Sequence, residues 1–496
     1  MKMKLNQLLE NLESIEIIGD TNKEINEISY NSRNIKEGDL FVAIPGFKED
    51  GHDFIEDAIK KGAAAVVAQK KVKLFQTLTQ VIVSEPRKAL ARLSSNFYGN
   101  PSAGLTLTGV TGTNGKTTTA FLIDSVLKFA DQKTSSITTI ESFILSKKVS
   151  FDRTTPGSLE LNKYLRESIN SGVKFLTMEV SSHSIDLHRI DFLDFDFFIF
   201  TNLTQDHLDY HKNMQNYFDT KKRLFEQEFR DLYSGRGAVI NADDFYGKQL
   251  IDFTDLPTLS YSVLSRDADI IAENISSKTT GIEMDVLIKN EKIIKIKSKL
   301  CGYFNVYNIL ASIGACVFLN IDPDIIKKGI SMMPGVNGRF EKIEEIKDFT
   351  VIVDYAHTPD GLENILKTAG SILIPGARII TVFGCGGDRD KTKRSVMGNI
   401  AGEISDFLII TSDNPRTEDP LSIVNMIEDG VKESGNSNYL KIVDRADAID
   451  EALNTASKND IVIIAGKGHE DYQEFNGFRI YFSDRKIVKN WVLKRK

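Results

Sequence analysis

The sequence predicts an α/β protein in three domains, spanning residues 1–102, 103–333 and 334–496. Three observations carry that reading. The chain has 496 residues, and at ~150 residues per domain that length suggests about three. Apolar runs at 105–110, 175–180 and 195–200 lead into polar segments rather than hairpin turns, the pattern of a parallel sheet with helical crossovers. Beyond Met333-Pro334-Gly335 the pattern restarts, with strands expected at 350–353, 379–383, 407–411 and 461–465.

Composition removes several classes of function. There are 62 Lys+Arg against 69 Asp+Glu, a net charge of −7, and the pI is near 5.7. Such a chain is not built to bind nucleic acid or an anionic membrane surface. Hydrophobic content of 41% with 26% charged residues excludes disorder as the main state. Cys301, Cys316 and Cys385 are widely spaced, with no Cys-x-x-Cys pair. That argues against a disulfide framework or a zinc site and fits a reducing, cytoplasmic compartment. No apolar run approaches the ~18 residues of a membrane span.

Taken in chain order, Leu5, Leu8, Leu9 and Leu12 recur at helical spacing and predict an amphipathic helix rather than an export signal. Asn100-Pro101-Ser102-Ala103-Gly104 reads as a linker. Next comes Gly109-Val110-Thr111-Gly112-Thr113-Asn114-Gly115-Lys116-Thr117-Thr118, between a predicted strand and a helix starting near Lys116. Glycines let backbone N–H groups close around phosphate oxygens, a Lys neutralises the β/γ-phosphates, and a Thr hydroxyl reaches Mg²⁺. ATP and Mg²⁺ are the implied ligands, although Val110 stands where the general pattern has its first glycine. Two His clusters follow strands of the same domain: His183 and His188 after Glu179, then His207 and His211. Glu179 would share the metal with Thr117, and His207 would be a second ligand or a phosphate contact. The alternative is that these histidines cap helices or satisfy buried backbone groups. In the last domain four strands each end in a polar loop: Asp354 to His357, Gly384 to Arg389, Ser412 to Arg416, and Gly466 to Glu470. Ligands of open α/β sheets bind outside the carboxyl ends of the strands, so four such loops predict one site.

Thr111-Gly112-Thr113-Asn114-Gly115-Lys116-Thr117, with Val110 before it, resembles the Mur ligase form of the phosphate loop. Met178 to His183, Asn202 to His211, Asn305-Val306-Tyr307-Asn308, Gly338-Arg339-Phe340-Glu341 and Asp354-Tyr355-Ala356-His357 are similar to that family's further landmarks, in its order. Asp413-Asn414-Pro415-Arg416 and Gly466-Lys467-Gly468-His469-Glu470 resemble its C-terminal signatures, so the likeness runs from about Ser32 to Arg485. It implies an ATP-dependent acid–amino-acid ligase of peptidoglycan precursor synthesis. Its parts would be a small α/β uridine-binding domain, a central P-loop ATPase-like parallel-sheet domain and a C-terminal Rossmann-like α/β domain for the incoming amino acid. The same likeness implies residue roles. Tyr30, Ser32, Phe47, Lys48 and Glu49 would contact the uridine diphosphate, and Thr154, Thr155, Ser181 and Arg189 the muramoyl-peptide. Leu187 departs from the family, where a Gln usually stands. Gly112 to Thr118 with Asn308, Arg339 and Asp354 would hold the nucleotide. Lys116, Glu179, His207 and Lys221 would be catalytic. The metal ligands would be Thr117, Glu179, His207 and Lys221, the last as a carbamate. Without the resemblance, the segment around Lys221 and Lys222 reads as a solvated basic helix face.

An amine does not displace oxide from a carboxylate in water, so such a ligase needs an acyl phosphate made from ATP, and positioning with charge neutralisation carries the catalysis. The resemblance implies UDP-N-acetylmuramoyl-dipeptide and meso-diaminopimelate as the substrates. Diaminopimelate differs from L-lysine by one distal carboxylate, which a guanidinium binds through two parallel charge-assisted hydrogen bonds. Arg416 would do so, at the end of the loop formed by Asp413, Asn414 and Pro415. Asn414 would add a donor, and Glu470 with the Gly466 carbonyl would receive the distal ammonium. Arg389 would hold the carboxylate beside the attacking amine. Arg416 could instead pair with Glu418 or Asp419 at the surface. The competing functions are an L-lysine-adding member of the family, a folylpolyglutamate synthetase-like ligase, and a nucleotide-gated module without catalysis. A monomer is expected, with a C-terminal domain that swings onto the nucleotide.

Overall fold

Three sheets, of five, eleven and six strands, organise the described part of the chain. The structure is a computed structural model that describes residues 2–495 except 48, 73–77, 228–231, 233–234, 279 and 290–291. The first sheet runs in the order Glu16–Ile18, Thr79–Ile82, Ala65–Ala68, Leu40–Val42, Ile28–Ser29, and is parallel apart from its first pair. Leu40, Val42, Ala65 and Val67 bury one face against Leu5 and Leu8, while Phe41, Val66 and Ala68 bury the other. The N-terminal helix is shorter than its periodicity suggests, Leu5–Leu8 only. Met3 and Lys4 just before it pair as a strand with Ile25 and Glu24, and Asn11 just after it takes a left-handed φ of 56°. Leu9 and Leu12 pack at the margin of that core.

The expected linker at 100–104 is a packed corner instead. Pro101–Gly104 is a 3₁₀ turn whose Ser102 is fully buried, and Ser102 Oγ accepts the Asp194 backbone N–H at 3.0 Å. A short polar side chain here satisfies a backbone donor, which holds the corner onto the next domain's sheet.

In the central sheet the parallel strands lie in the order Thr134–Ile137, Phe175–Glu179, Thr106–Thr111, Phe197–Phe200, Ala238–Asn241, Thr258–Ser262, Ile270–Lys278. Antiparallel strands continue both edges. Chain order reverses around Thr106–Thr111, which makes a ligand-binding switch point at its carboxyl end. The strand expected from 195 begins at Phe197, because the Asp196 carboxylate takes the Leu107 N–H at 2.8 Å and ends the ladder there.

The C-terminal sheet runs Glu341–Lys342, Thr350–Asp354, Ile461–Ala465, Ile379–Phe383, Phe407–Ile410, Tyr439–Lys441, parallel after the first strand. Along Ile461–Ala465, residues 461, 463 and 465 join one core cluster and 462 and 464 the other, so a continuous apolar run buries both faces. The four predicted loops therefore leave one edge together. None of the described helices is long and apolar enough to cross a membrane.

Candidate active site

The nucleotide end begins at the switch point. Gly112 and Gly115 take φ of +143° and +86°, a region that L side chains rarely enter. Neither has room for a side chain: a Cβ would lie 2.0 Å from Thr201 Oγ1 at Gly112 and 2.2 Å from Asn308 Oδ1 at Gly115. The helix Lys116–Phe129 starts directly after this cradle, so its free N–H groups face the loop. Lys116 Nζ donates to the carbonyls of Gly112 and Thr113 at 3.0 and 2.8 Å. Burial holds its pKa below the usual lysine range; Glu179 opposes that shift and Arg339 adds to it.

Glu179, 1% exposed, ends the neighbouring strand. Its carboxylate accepts Thr117 Oγ1 at 2.6 Å and both the N–H and the hydroxyl of Thr139 at 2.9 Å. A hydroxyl and a carboxylate in contact beside a phosphate cradle fit Mg²⁺, which prefers hard oxygens and takes few protein ligands when phosphates supply the rest. Lys221 is 1% exposed, on the helix Met214–Lys222, and donates to Thr111 Oγ1 at 3.1 Å and the Gly112 carbonyl at 3.2 Å. The basic face belongs instead to Lys222, which pairs with Glu226 at 2.9 Å. Burial first, then the Lys116 charge, push the Lys221 pKa well below its usual value. A neutral amine is the form that reacts with carbon dioxide.

His207 sits at a left-handed φ of 56°, its ring 4.9 Å from that of His183 and its Nε2 3.4 Å from Asp206 Oδ2. Burial lowers its pKa to about 3, so the ring is neutral. Asp206, absent from the sequence-derived set, is the hub here. Its buried carboxylate also lies 3.7 Å from His357 Nε2 and 3.6 Å from Lys393 Nζ, both from the C-terminal domain. Burial alone would raise its pKa, but His207 first, then His357 and Lys393, outweigh burial and hold it well below the usual range.

A cavity of about 750 Å³ extends from the phosphate loop to the helix Pro359–Ile372. Asn308, Arg339 and Asp354, all expected nucleotide contacts, line it together. Arg339 Nη2 reaches Thr117 Oγ1 at 3.4 Å, and its Nε is a buried donor with no hydrogen-bond partner among the described residues. Asp354 accepts the N–H groups of Phe340 and Ala356, and burial raises its pKa. Asn114 Nδ2 donates across the cavity to Asp360 at 2.7 Å.

Thr155 Oγ1 bonds the Glu179 carbonyl at 2.8 Å and Ser181 Oγ at 3.3 Å, Arg189 Nη1 donates to the Thr155 carbonyl at 3.1 Å, and Thr154 joins through Thr139 at 3.1 Å. Leu187 caps the short helix Ser182–Asp186 through its backbone, and its side chain has no polar atom to offer. On the N-terminal side Tyr30 donates to Glu160 at 2.8 Å, Ser32 is buried with its carbonyl accepting Lys61, and Phe47 stands 77% exposed, edge-on to Tyr210. The Glu49 carbonyl accepts Gly46 N–H at 2.9 Å; Lys48 lies outside the described residues. Sequence reasoning missed Arg87 and Arg153. Burial and then these two like charges lower the Arg189 pKa to about 10, which makes the gap between the first two domains a cationic site. Arg153 stands beside Thr154 and could have been noticed; Arg87 carries no motif.

The four C-terminal loops enclose a cavity of about 130 Å³ lined by Arg389, Asp413, Asn414, Arg416, Gly466 and Glu470, with Asp206 and His207 of the central domain at its other side. Arg416 does not pair with Glu418, which is held by Arg394 through two 2.9 Å contacts. Its Nη1 donates to the Gly387 carbonyl at 2.7 Å and its Nε lies 3.5 Å from Glu474. Asn414 Nδ2 donates to Glu470 at 2.9 Å, and the Pro415 carbonyl lies against Gly387, where a Cβ would come within 1.9 Å. Gly466, at φ +111°, abuts Asp413, where a Cβ would meet Oδ2 at 2.7 Å. Arg389 is exposed at the rim.

Residues 24–98 match the Mur ligase family catalytic domain, 110–316 the Mur ligase middle domain and 338–468 the Mur ligase glutamate ligase domain. A UDP-N-acetylmuramoyl-L-alanyl-D-glutamate–2,6-diaminopimelate ligase of Clostridium botulinum is 43% identical over 495 residues, 99% of each chain. Its Clostridium tetani namesake is 44% identical over 495 residues, again 99% of each. A solved structure of a ligase of that name superposes with a TM-score of 0.69 at 30% identity, covering 100% of this chain and 99% of its own.

Proposed function

The chain belongs to the Mur ligase family, and on that premise we propose that it joins meso-diaminopimelate to UDP-N-acetylmuramoyl-L-Ala-D-Glu at the expense of ATP. The domains of this reading are 1–102 for the uridine end, 103–333 for ATP and 334–496 for the amino acid. The observation that carries it is the contact across the last boundary. Arg339 of the C-terminal domain reaches Thr117 of the phosphate loop, and Asp206 of the central domain lines the amino-acid cavity. A phosphoryl group and an incoming amine thus meet at one place.

The peptide carboxylate, held near Thr155, Ser181 and Arg189, attacks the γ-phosphorus, and ADP leaves. The amine then attacks the acyl carbon, loses a proton, and phosphate departs with the former carboxylate oxygen. Bringing two anions together is the main barrier, and fixed cations lower it. Lys116 and Arg339 supply positive charge at the phosphates without moving. His207, neutral and edge-on to His183, donates a hydrogen bond to an anionic oxygen without needing a proton from solution. Mg²⁺, when bound by Thr117 and Glu179, would supply further charge neutralisation, and Lys221 as a carbamate would offer an anionic ligand to a second Mg²⁺.

Phosphate release measured with UDP-muramoyl-dipeptide and ATP, offering diaminopimelate, L-lysine or no amino acid, tests the assignment. Turnover should require diaminopimelate. Preference for lysine, or ADP release independent of any amino acid, would overturn it.

A further inference from the structure

A buried lysine stands behind the wall of the amino-acid cavity, in contact with Asn414 and Glu470 of its lining. Lys467 is 0% exposed, between the strand end at Ala465 and Glu470. Its Nζ donates to Asn414 Oδ1 at 3.0 Å and to Glu470 Oε2 at 2.8 Å, and lies 5.4 Å from the centre of the Tyr472 ring. The Glu474 backbone N–H donates to the same Asn414 oxygen at 3.0 Å. An ammonium and a peptide N–H can only donate, so two donors converging on one atom force that atom to be the amide oxygen. The Asn414 NH₂ group must then point the other way, toward Glu470 and the cavity. Glu470 is set in the same manner. Oε2 receives both Lys467 and Asn414, while Oε1 has no hydrogen bond among the described residues.

We infer that Lys467 is a positioning residue for amino-acid selection, fixing Asn414 as a pure donor beside Glu470 as a pure acceptor. A donor and an acceptor side by side read an ammonium and a carboxylate carried on one carbon. The distal carbon of diaminopimelate carries both; that of L-lysine carries the ammonium alone. Arg416 supplies charge for the carboxylate, and Lys467 supplies the polarity that makes the neighbouring amide agree with it. A rotated amide would turn its oxygen toward that carboxylate, and a buried mismatch of this kind is costly. This inference rests on the loop cavity being the amino-acid site.

Variants of Lys467, Asn414 and Arg416 test it. Lys467→Met keeps the length of the side chain in its aromatic surroundings and removes the donors. It should raise the KM for diaminopimelate by ~10-fold or more, the range for an unmet buried partner, while the KM for ATP stays within about twofold. In an Asn414→Ala background the same change should cost less than in the parent, because the part of its effect that passes through the amide is already lost. Asn414→Asp still accepts from Lys467 and Glu474, so the loop is kept. It turns an oxygen toward the ligand and should bind diaminopimelate worse than Asn414→Ala. Equal KM values for the Asp and Ala variants, additive costs in the double variant, or parallel rises in the KM for ATP would overturn the role of Lys467. Arg416→Ala separates the two levels of the argument. If it leaves the KM for diaminopimelate unchanged, the cavity itself is misassigned. If it raises that KM and Lys467→Met does not, only the positioning role falls.

Discussion

The phosphate end and the amino-acid end use charge in opposite ways. Around the phosphate loop, Lys116 and Lys221 are both buried, and burial lowers both pKa values, with the Arg339 charge adding to the shift of Lys116 and the Lys116 charge to that of Lys221. Glu179 accepts from two hydroxyls and a backbone N–H, of Thr117 and Thr139, and has no salt bridge among the described residues. Around the loop cavity the charges are paired at short range: Lys467 with Glu470, Arg416 with Glu474, Arg394 with Glu418, and Arg445 with Asp484 at 2.8 Å. The first region gathers Lys116 and Arg339, with no short ion pair among the described residues, where the proposed reaction would bring two anions together. The second is a neutralised frame in which direction, not net charge, discriminates between ligands. Changes in the first should therefore fall on kcat, and changes in the second on KM and selectivity.

The largest expected effect is at Lys116. Lys116→Met should lower kcat by ~10³-fold, the upper range for losing one preorganised donor to a developing anion. A melting temperature equal to the parent's would show that the loss is chemical. Lys221→Ala should cost ~10²-fold in kcat, with partial recovery when short carboxylic acids are added to stand in for the carbamate. Lys222→Ala should stay within about twofold, because its half-buried ion pair with Glu226 is not among the contacts of the phosphate loop. Full activity in Lys221→Ala would remove the carbamate from the scheme and blur the contrast. Arg416→Ala should cost ~3 kcal/mol in kcat/KM for diaminopimelate, as for one partner of a desolvated charge pair, with most of it in KM. If the loss fell on kcat instead, the two ends would not be functionally distinct.

The smallest effect is on stability. Burial holds His207 and His469 at about 3 and His211 at about 4, against 6.5 when exposed. Below 6.5 the unfolded chain takes up protons that these folded sites refuse, so stability falls as pH drops from about 6.5 toward 4. Carboxylates held low, such as Glu418 at about 2 against 4.5, contribute only below that. Melting temperature followed over this range should start to decline near pH 6.5, and His207→Gln should flatten the slope. A curve level down to about pH 5 would mean that the phosphate end is wetter than described.

Contiguous signals were legible. The phosphate loop is one run of residues whose glycines and lysine must be neighbours to work, and the strand ends at 354, 383 and 465 follow from apolar runs stopped by polar residues. Spacing between motifs was not. Asp206 stands beside His207 in sequence, yet nothing in that order says that His357 and Lys393 come from the C-terminal domain to meet it. Arg87 and Arg189 are about a hundred residues apart and share a site only because two domains pack.

By itself, then, the amino-acid order determined the class of fold, the phosphate loop and the four polar loops at the C-terminal strand ends, since each depends on local periodicity or on residues a few positions apart. Tertiary structure decided which lysine is buried, which way the Asn414 amide faces, and that Arg416 leaves Glu418 to Arg394. Those outcomes are set by desolvation and by the competition of many donors for few acceptors, and that competition exists only once distant segments share one dry space.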